Sequence, residues 1–330
     1  MSTPTAEDNI LVNTYKESRE NSQRSRAVSL TVIDTGYPFI NIQPTPQFTA
    51  AYLVGDDSGY VLIETGVNQS VPTILAAIDR VLPDRSLLKA IVVTHVHLDH
   101  VGGLSQLHRL FPQAKIFCHE RAAKHIIDPT KLIASAKGVY GDTVFERLYG
   151  LIHPISAENV CAVTDNEKIN ISNNIFSFLY TKGHANHHLV VQLHNNNCMF
   201  TGDTFGLYYP ALQLGRPEVA PFIFASTSPT DFSYAEAIVS VDRIVASGVE
   251  VVYPTHFGPV IMSKYLVNQL KDHLHFSKTL YENRHLGEAV LLDQSYQYFR
   301  KALYNVDETT WRAVIDLDIR LNVQGVLAAK

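Results

Sequence analysis

The sequence predicts an α/β fold built of packed layers. Short apolar runs of strand length alternate with amphipathic stretches of helical period, and this alternation occurs in both halves of the chain. The chain has 330 residues, of which 46% are hydrophobic and 18% charged, so it can bury a sizeable core. Polar side chains able to bind metal follow several of the predicted strands directly, at the position where α/β folds place their sites.

The N-terminal 28 or so residues are rich in Ser, Thr, Asn, Glu and Arg. They contain no apolar segment of about 7 to 15 residues, so we expect a flexible arm and not a signal peptide. A run of about 18 apolar residues, which a membrane-spanning helix needs, is not found in the sequence. We therefore expect a cytoplasmic protein.

Strands begin after this arm. The predicted strands are residues 30–33, 50–54 and 60–63. Between the last two, residues 55–59 read Gly-Asp-Asp-Ser-Gly, which is typical of a hairpin turn. Ile74, Leu75, Ile78 and Leu82 then recur at helical spacing, which predicts an amphipathic helix over residues 72–82.

Four potential metal ligands lie within six residues in the stretch 94–100, Thr-His-Val-His-Leu-Asp-His, directly after the apolar run 90–93. In an extended loop, side chains two residues apart project to the same side, so His95 and His97 can bind one ion. Asp99 and His100 lie at the turn into a helix and can face a second ion. Imidazole and carboxylate ligands suit zinc, iron or manganese, whereas calcium prefers oxygen ligands alone.

The remaining elements continue the alternation. The predicted helices are residues 103–111, 234–246 and a helical region over 120–150, and the predicted strands are residues 115–118, 175–180, 189–193, 199–201 and 250–253. From residue 263 the tail is predicted to be helical, with a first helix ended by Gly287 and a last helix opened by Asp307. Residues 205–229, rich in aromatic side chains, are expected either to line the substrate or to pack the loop or form a dimer contact.

Three further ligand candidates, His184, Asp203 and His256, each follow a predicted strand. Singly each is a weak signal, since a lone His or Asp after a strand usually serves a turn. Together with the stretch 94–100 they form a strong one, because ligands at successive strand ends can converge along one edge of a sheet.

This pattern resembles the metallo-β-lactamase superfamily. The order His95-x-His97-x-Asp99-His100, then Gly-His184, Gly202-Asp203 and a late His256 matches the motif positions of that family over roughly residues 30–261. The complete ligand set resembles the glyoxalase-II-like branch more than true lactamases. A flavodiiron protein is disfavoured because those proteins have Glu where His97 stands and carry a flavodoxin domain.

The resemblance implies a four-layer αββα sandwich with a site in a groove along the sheet edges. It implies that His95, His97 and His184 hold one divalent metal ion and that Asp99, His100 and His256 hold another, with Asp203 bridging. Zinc is the expected metal, with iron or manganese as alternatives. Two such ions about 3.5–4 Å apart bring the pKa of a shared water toward about 7 and so generate hydroxide at neutral pH. Asp99 and Asp203 are the predicted catalytic residues, with Asp203 orienting the hydroxide.

The chain departs from the family pattern at two places. Glu64-Thr65-Gly66 stands where the family usually has Asp-Thr-Gly, the turn that supports the ligands of the first metal. Lys182 stands where Pro is common. His188 matches the second His of the family's Gly-His-x-x-x-His pattern and is expected to hydrogen-bond behind the site. Basic residues of the kind that bind glutathione in glyoxalase II are not evident in the tail.

Net charge and cysteine usage limit the classes of binding partner that we expect. The net charge of −5, without long like-charge runs, argues against nucleic acid or anionic membrane as partners. Cys118, Cys161 and Cys198 are far apart and suggest reduced thiols and not a disulfide framework. We expect a small-molecule substrate and a C-terminal helical tail that either roofs the site or forms a homodimer interface.

The sequence thus predicts a flexible arm over residues 1–28, a catalytic domain over 29–262 and a helical extension over 263–330. The favoured function is a binuclear metal-dependent hydrolase that acts through a metal-bound hydroxide on a small ester, thioester or lactone. One alternative is an iron-dependent persulfide dioxygenase, which uses only ligands of the His95, His97, His184 and Asp203 type. Another is a regulatory or interaction protein whose metal site has weak hydrolase activity.

Overall fold

A computed structural model describes residues 10–13, 28–38, 44–45, 47–213, 221–227 and 231–329. Most of the predicted N-terminal arm, and part of the aromatic segment 205–229, lie outside the described residues. Within the described part, every helix is too short or too polar to cross a lipid bilayer.

The strands form two large sheets and one small one. In chain order they are β1 (Ile10–Asn13), β2 (Ser29–Asp34), β3 (Tyr37–Pro38), β4 (Pro44–Thr45), β5 (Ala50–Asp56), β6 (Gly59–Ile63), β7 (Leu88–Val92), β8 (Lys115–His119), β9 (Val160–Val163), β10 (Glu167–Ile171), β11 (Asn174–Tyr180), β12 (Leu189–Leu193), β13 (Cys198–Gly202), β14 (Val251–Pro254) and β15 (Val260–Ile261). The seven-stranded sheet has the order β1-β2-β5-β6-β7-β8-β9 and the six-stranded sheet has the order β10-β11-β12-β13-β14-β15, while β3 pairs with β4.

The helices are α1 (Val71–Val81), α2 (Leu98–Val101), α3 (Leu104–Leu110), α4 (Glu120–Ile127), α5 (Thr130–Tyr140), α6 (Asp142–Leu148), α7 (Tyr234–Ala246), α8 (Lys264–Glu282), α9 (Glu288–Ala302) and α10 (Glu308–Ala328). Helix α1 buries Val71, Ile74, Ala77 and Ile78, one apolar face at the spacing that the sequence predicts. The predicted opening of the last helix is confirmed, because the Asp307 carboxylate accepts the backbone N–H of Thr310 at 3.0 Å.

The parallel half of the seven-stranded sheet positions two loops side by side. Strands β6 and β7 run parallel, and Ile63 lies opposite Val92 in their register. Their carboxyl ends therefore meet at the same edge of the sheet. The Glu64-Thr65-Gly66 turn leaves the first of these ends and the histidine-rich stretch leaves the second.

The chain divides into two compact units. One comprises Met1–Leu179 with Val191–Phe200, and the other comprises Tyr180–Val190 with Thr201–Lys330. In the second unit a buried cluster of Leu280, Leu291, Val323 and Val326 joins the three C-terminal helices. The domain boundaries at 28 and 262 remain a prediction.

Most predicted elements are present within a residue or two at each end, but several elements were missed. One of them, β1 (Ile10–Asn13), lies within the predicted flexible arm and pairs with β2, which corrects the prediction for those four residues. Strands β9 and β10 and helix α9 had no prediction of their own. Strand β9 has only four residues, and β9 and β10 each bury only their last residue, so neither shows a repeated buried position. Helix α9 begins directly after Gly287, whose φ of +90° interrupts the helical backbone at the position that the sequence predicts.

Candidate metal centre

The stretch after β7 gathers its polar side chains around the start of α2. His97 precedes the first turn of this helix, Asp99 lies within that turn, and His100 ends it. The Nε2 atom of His95 lies 2.9 Å from Nδ1 of His97, and Nε2 of His100 lies 3.6 Å from Oδ2 of Asp99. His95 and His100 are fully buried, so the chain concentrates polar nitrogen atoms where it would otherwise place apolar groups.

Glu64 supports this stretch from the neighbouring strand end. Its Oε1 accepts the backbone N–H of Thr94 at 3.2 Å, and its Oε2 lies 3.3 Å from Nδ1 of His100. The carboxylate thus contacts a predicted ligand of the second metal, and the prediction that this turn supports the ligands of the first metal stays a prediction. The physical reason for the contact with His100 is the parallel register, which places residue 64 beside the end of β7, while α2 brings His100 back over it.

Two further contacts hold α2 against the same turn. The backbone N–H and the hydroxyl of Thr65 both donate to the carbonyl oxygen of His100, at 3.0 and 2.6 Å. A Cβ atom at Gly103 would lie 2.5 Å from the carbonyl oxygen of Thr65, so only glycine permits this approach. The position of His100 is thus fixed on its backbone as well as at its ring.

The second unit presents a carboxylate between two imidazoles. Oδ2 of Asp203 lies 3.4 Å from Nε2 of His184, and Oδ1 of Asp203 lies 3.6 Å from Nε2 of His256. Each of the three side chains follows a strand end and is 5% exposed. One carboxylate oxygen for each imidazole is the arrangement expected of a residue that serves two metal ions.

His188 holds Asp203 in place from behind, as predicted. Its Nε2 accepts the backbone N–H of Asp203 at 3.1 Å, so the ring proton lies on Nδ1. Nδ1 faces the hydroxyl groups of Thr181 and Thr204 at 2.8 and 3.1 Å. His187 is half-buried.

Each of the other two imidazoles has a contact at its Nδ1 atom that sequence reasoning missed. Nδ1 of His184 lies 3.3 Å from the carbonyl oxygen of Ser226, and Nδ1 of His256 lies 3.4 Å from the hydroxyl of Tyr209. Such partners fix the orientation of a ring and leave Nε2 available to a metal ion. A backbone carbonyl has no sequence signature, whereas Tyr209 could have been noticed as a polar tip within an apolar stretch.

The aromatic segment after Asp203 packs internally. Phe205, Tyr209, Phe222 and Phe224 are at most 1% exposed, which favours the packing role over a substrate wall. Tyr208 is partly exposed, and burial raises the pKa of its phenol, so this side chain stays neutral at physiological pH.

Each unit carries its own part of the predicted ligand set. His95, His97, Asp99 and His100 lie together in the first unit, and His184, Asp203 and His256 lie together in the second. Five imidazoles and two carboxylates form a donor set that suits zinc, iron or manganese. The residues present therefore fit divalent transition-metal ions.

The cysteines take no part in these groups. All three are free thiols, and burial raises the pKa of Cys118 and Cys198 to about 12. Such thiols stay protonated and unreactive near neutral pH, as the sequence predicts.

Comparison with known families decides the relationship. The model of the metallo-beta-lactamase superfamily matches residues 44–256, which include every one of the ligand candidates. The chain belongs to the metallo-beta-lactamase superfamily. The predicted fold class, a four-layer αββα sandwich with a C-terminal helical extension, is thereby confirmed, while the assignment to the glyoxalase-II-like branch remains a prediction.

Relatives within the superfamily differ in their stated activities. A metallo-beta-lactamase fold-containing protein of Sulfurisphaera tokodaii is 28% identical over 232 residues, covering 68% of this chain and 80% of the relative. A thioesterase of Emericella nidulans is 26% identical over 191 residues, covering 55% of this chain and 45% of the relative. A coenzyme F420H(2) oxidase of Methanothermobacter marburgensis is 35% identical over 79 residues, covering 23% of this chain and 20% of the oxidase.

Solved structures agree with the family assignment. An archaeal metallo-beta-lactamase superfamily protein from Sulfolobus tokodaii matches with a TM-score of 0.58 at 26% identity, covering 75% of this chain and 85% of the other. A metallo-beta-lactamase family protein from Thermus thermophilus matches with a TM-score of 0.58 at 19% identity, covering 88% and 93%, and supports the fold alone.

Proposed function

We propose that this chain is a hydrolase that uses two divalent metal ions to cleave a small ester, thioester or lactone. The observation that carries the proposal is the Asp203 carboxylate, which directs one oxygen toward His184 and the other toward His256. A carboxylate placed between two imidazoles suits a hydrolytic centre that holds two metal ions about 3.5–4 Å apart.

The ligands divide between two positions. His95, His97 and His184 would hold one ion, and Asp99, His100 and His256 would hold the other, with Asp203 shared. Zinc is the expected occupant because the donors are mainly imidazole nitrogen. When bound, the two ions supply Lewis acidity and lower the pKa of a coordinated water.

The side chains of this chain then have separate tasks. Glu64, Tyr209 and His188 orient His100, His256 and the backbone of Asp203 respectively. The Asp203 carboxylate is the group that can accept a proton from the attacking water at Oδ1 or Oδ2 and return it to the leaving group. Because the residue is 5% exposed, little solvent competes for those two oxygens.

Among these substrate classes, a thioester has support from the names of two relatives. The thioesterase of Emericella nidulans aligns over 55% of this chain. An atrochrysone carboxyl ACP thioesterase of Aspergillus fumigatus is 25% identical over 162 residues, covering 49% of this chain and 30% of the relative. The chain spans less than half the length of these two thioesterases, so the acyl-carrier substrate named for the second one is not transferred to this chain.

Metal analysis followed by a substrate panel tests the proposal. Protein purified without added metal is expected to contain close to two transition-metal ions per chain and to hydrolyse at least one member of an ester, thioester, lactone and phosphodiester panel. Chelation should abolish the activity and zinc should restore it. The matched variant Asp203→Asn should lose most of the turnover of the same compound, about 10²–10⁴-fold, whereas His187→Ala, altered at a half-buried position, should keep more of it.

An iron-dependent oxidoreductase is the second candidate. The oxidase relative of Methanothermobacter marburgensis favours it, although that match covers 23% of this chain. An oxidoreductase of this kind is expected to hold about one ion per chain, with iron as that ion, and to consume oxygen in the presence of a persulfide. That combination, without hydrolysis of any panel compound, would replace the hydrolase proposal.

A further inference from the structure

The ring of the metal-ligand candidate His184 contacts one short segment of backbone. Its Nδ1 atom lies 3.3 Å from the carbonyl oxygen of Ser226. A carbonyl oxygen can only accept, so this contact requires the ring proton on Nδ1 and leaves the lone pair of Nε2 for a metal ion. Where Ser226 stands therefore decides both the tautomer and the direction of the His184 ring.

The side chain of Asn322, on the last helix α10, hydrogen-bonds to the backbone on both sides of Ser226. Its Oδ1 accepts the N–H of Thr227 at 2.7 Å, and its Nδ2 donates to the carbonyl oxygen of Ala225 at 3.0 Å. The hydroxyl of Thr227 donates in turn to the backbone carbonyl of Asn322 at 3.1 Å. Three hydrogen bonds thus fix residues 225 and 227, and with them the carbonyl between.

Helix α8 holds the same segment from a second direction. Nδ1 of His273 accepts the backbone N–H of Ala225 at 3.2 Å. Burial lowers the pKa of His273 to about 3, so the ring is neutral and keeps this acceptor at physiological pH. Two C-terminal helices therefore converge on the three residues 225–227.

The location of Asn322 argues that these contacts are specific. It lies within the buried stripe of α10 formed by Ile319, Val323 and Val326, and it is 7% exposed. An amide in such a stripe costs free energy unless its polar atoms are hydrogen-bonded. Both polar atoms of this amide are used on the segment that carries Ser226.

We propose that Asn322 is a positioning residue for the metal centre, acting on His184 through the backbone of residues 225–227. The inference rests on the proposed metal-binding function, and it assigns to the C-terminal helices a part in ligand geometry. An outer partner of a ligating histidine typically changes metal affinity by about 10–100-fold. The effect of Asn322 should lie toward the lower part of that range, because it acts through one intervening carbonyl.

The test compares Asn322→Ala with two controls on the same helix in the full-length protein. Val323→Ala removes a fully buried side chain of the helical cluster and leaves the hydrogen-bonding groups of Asn322 unchanged. Gln324→Ala changes an exposed residue. For each protein we would measure zinc affinity by competition with a chelator, the visible spectrum of the cobalt(II)-loaded form, and the unfolding temperature of the metal-free form.

Asn322→Ala is expected to weaken zinc binding about tenfold and to shift the cobalt(II) bands. Val323→Ala should lower the unfolding temperature of the metal-free protein while its zinc affinity and cobalt(II) spectrum stay within about twofold of the unsubstituted values. Gln324→Ala should change none of the three. If Asn322→Ala proves insoluble, Thr227→Val is measured in its place, with an expected loss of zinc affinity of a few-fold.

Two results would overturn the inference. Unsubstituted zinc affinity in Asn322→Ala or Thr227→Val would refute the positioning role alone. Equal losses of zinc affinity in Val323→Ala and Asn322→Ala would show that general loosening of the C-terminal helices is responsible. Failure of the unsubstituted protein to bind zinc or cobalt(II) at all would instead refute the proposed metal centre, which distinguishes the two failures.

Discussion

Burial of His273 predicts a specific loss of stability in acid. The ring is 2% exposed and is surrounded by Phe224, Phe276, Tyr298 and Phe299. Burial raises the pKa of the Tyr298 phenol to about 12, so that neighbour carries no charge in the acid range. A second proton on His273 would have to occupy Nδ1, where it would face the N–H of Ala225. The folded protein therefore disfavours protonation of His273, whereas the unfolded chain does not.

The sign and size follow from the two pKa values. The folded value is about 3 and the ordinary value is 6.5, so between these pH values the unfolded chain binds more protons than the folded one. The free energy of unfolding contributed by this group is fully present above pH 6.5 and is lost as the pH falls, by about 1.4 kcal/mol per pH unit. Between neutral pH and pH 5 the loss from His273 alone should be about 2 kcal/mol.

Urea unfolding of the metal-free protein, followed by circular dichroism at pH 7.5 and pH 5, measures this loss. His273→Gln keeps an acceptor oxygen but cannot titrate, so its stability should depend on pH about 2 kcal/mol less than that of the unsubstituted protein. His108, His125 and His194, whose pKa values burial also lowers, are present in both proteins and cancel in the difference. An identical pH dependence in the two proteins would refute the reasoning.

Three further predictions concern the metal centre and the tail. Asp203→Asn should keep the fold and lower turnover about 10²–10⁴-fold, measured as kcat on the best panel substrate; near-native turnover with both metals bound would contradict the proposed role. Glu64→Gln should weaken metal binding about 10–100-fold in chelator competition, because an amide orients the His100 ring less strongly than a carboxylate, and unchanged affinity would argue against that support. Deletion from Asp307 onward should expose the cluster of Leu280 and Leu291 and increase binding of a hydrophobic dye, whereas unchanged kinetics together with loss of a dimer would assign the tail to assembly.

The sequence predicted best where the signal is local. The motif 94–100 carries four ligand candidates within six residues, so its spacing alone predicts that this stretch binds metal. Strand and helix positions were equally accessible where apolar residues repeat over a full element, as in α1 and α7. Short or polar elements such as β10 escaped, because the periodicity needs several buried positions to be recognised.

Contacts between distant segments could not be predicted. Glu64 meets His100 only because β6 and β7 pair in a particular register. Asn322 and Thr227 are 95 residues apart, and the sequence offers only a polar residue within the apolar stripe of α10 as a signal. A mid-stripe amide in a predicted helix is a useful mark of a buried hydrogen-bond partner elsewhere in the chain.

Gly183 limits how this protein can be diversified in the laboratory. Its φ is +116°, and a Cβ atom there would lie 2.3 Å from the backbone nitrogen of Ala237 in α7. Its carbonyl oxygen also accepts the N–H of Ser233 at 2.9 Å. A mutant library that randomises the loop around His184 should therefore yield functional clones with glycine almost invariant at 183 and wide variation at the half-buried position 187. New substrate specificity is better sought at position 187 than at any residue that would displace the first turn of α7.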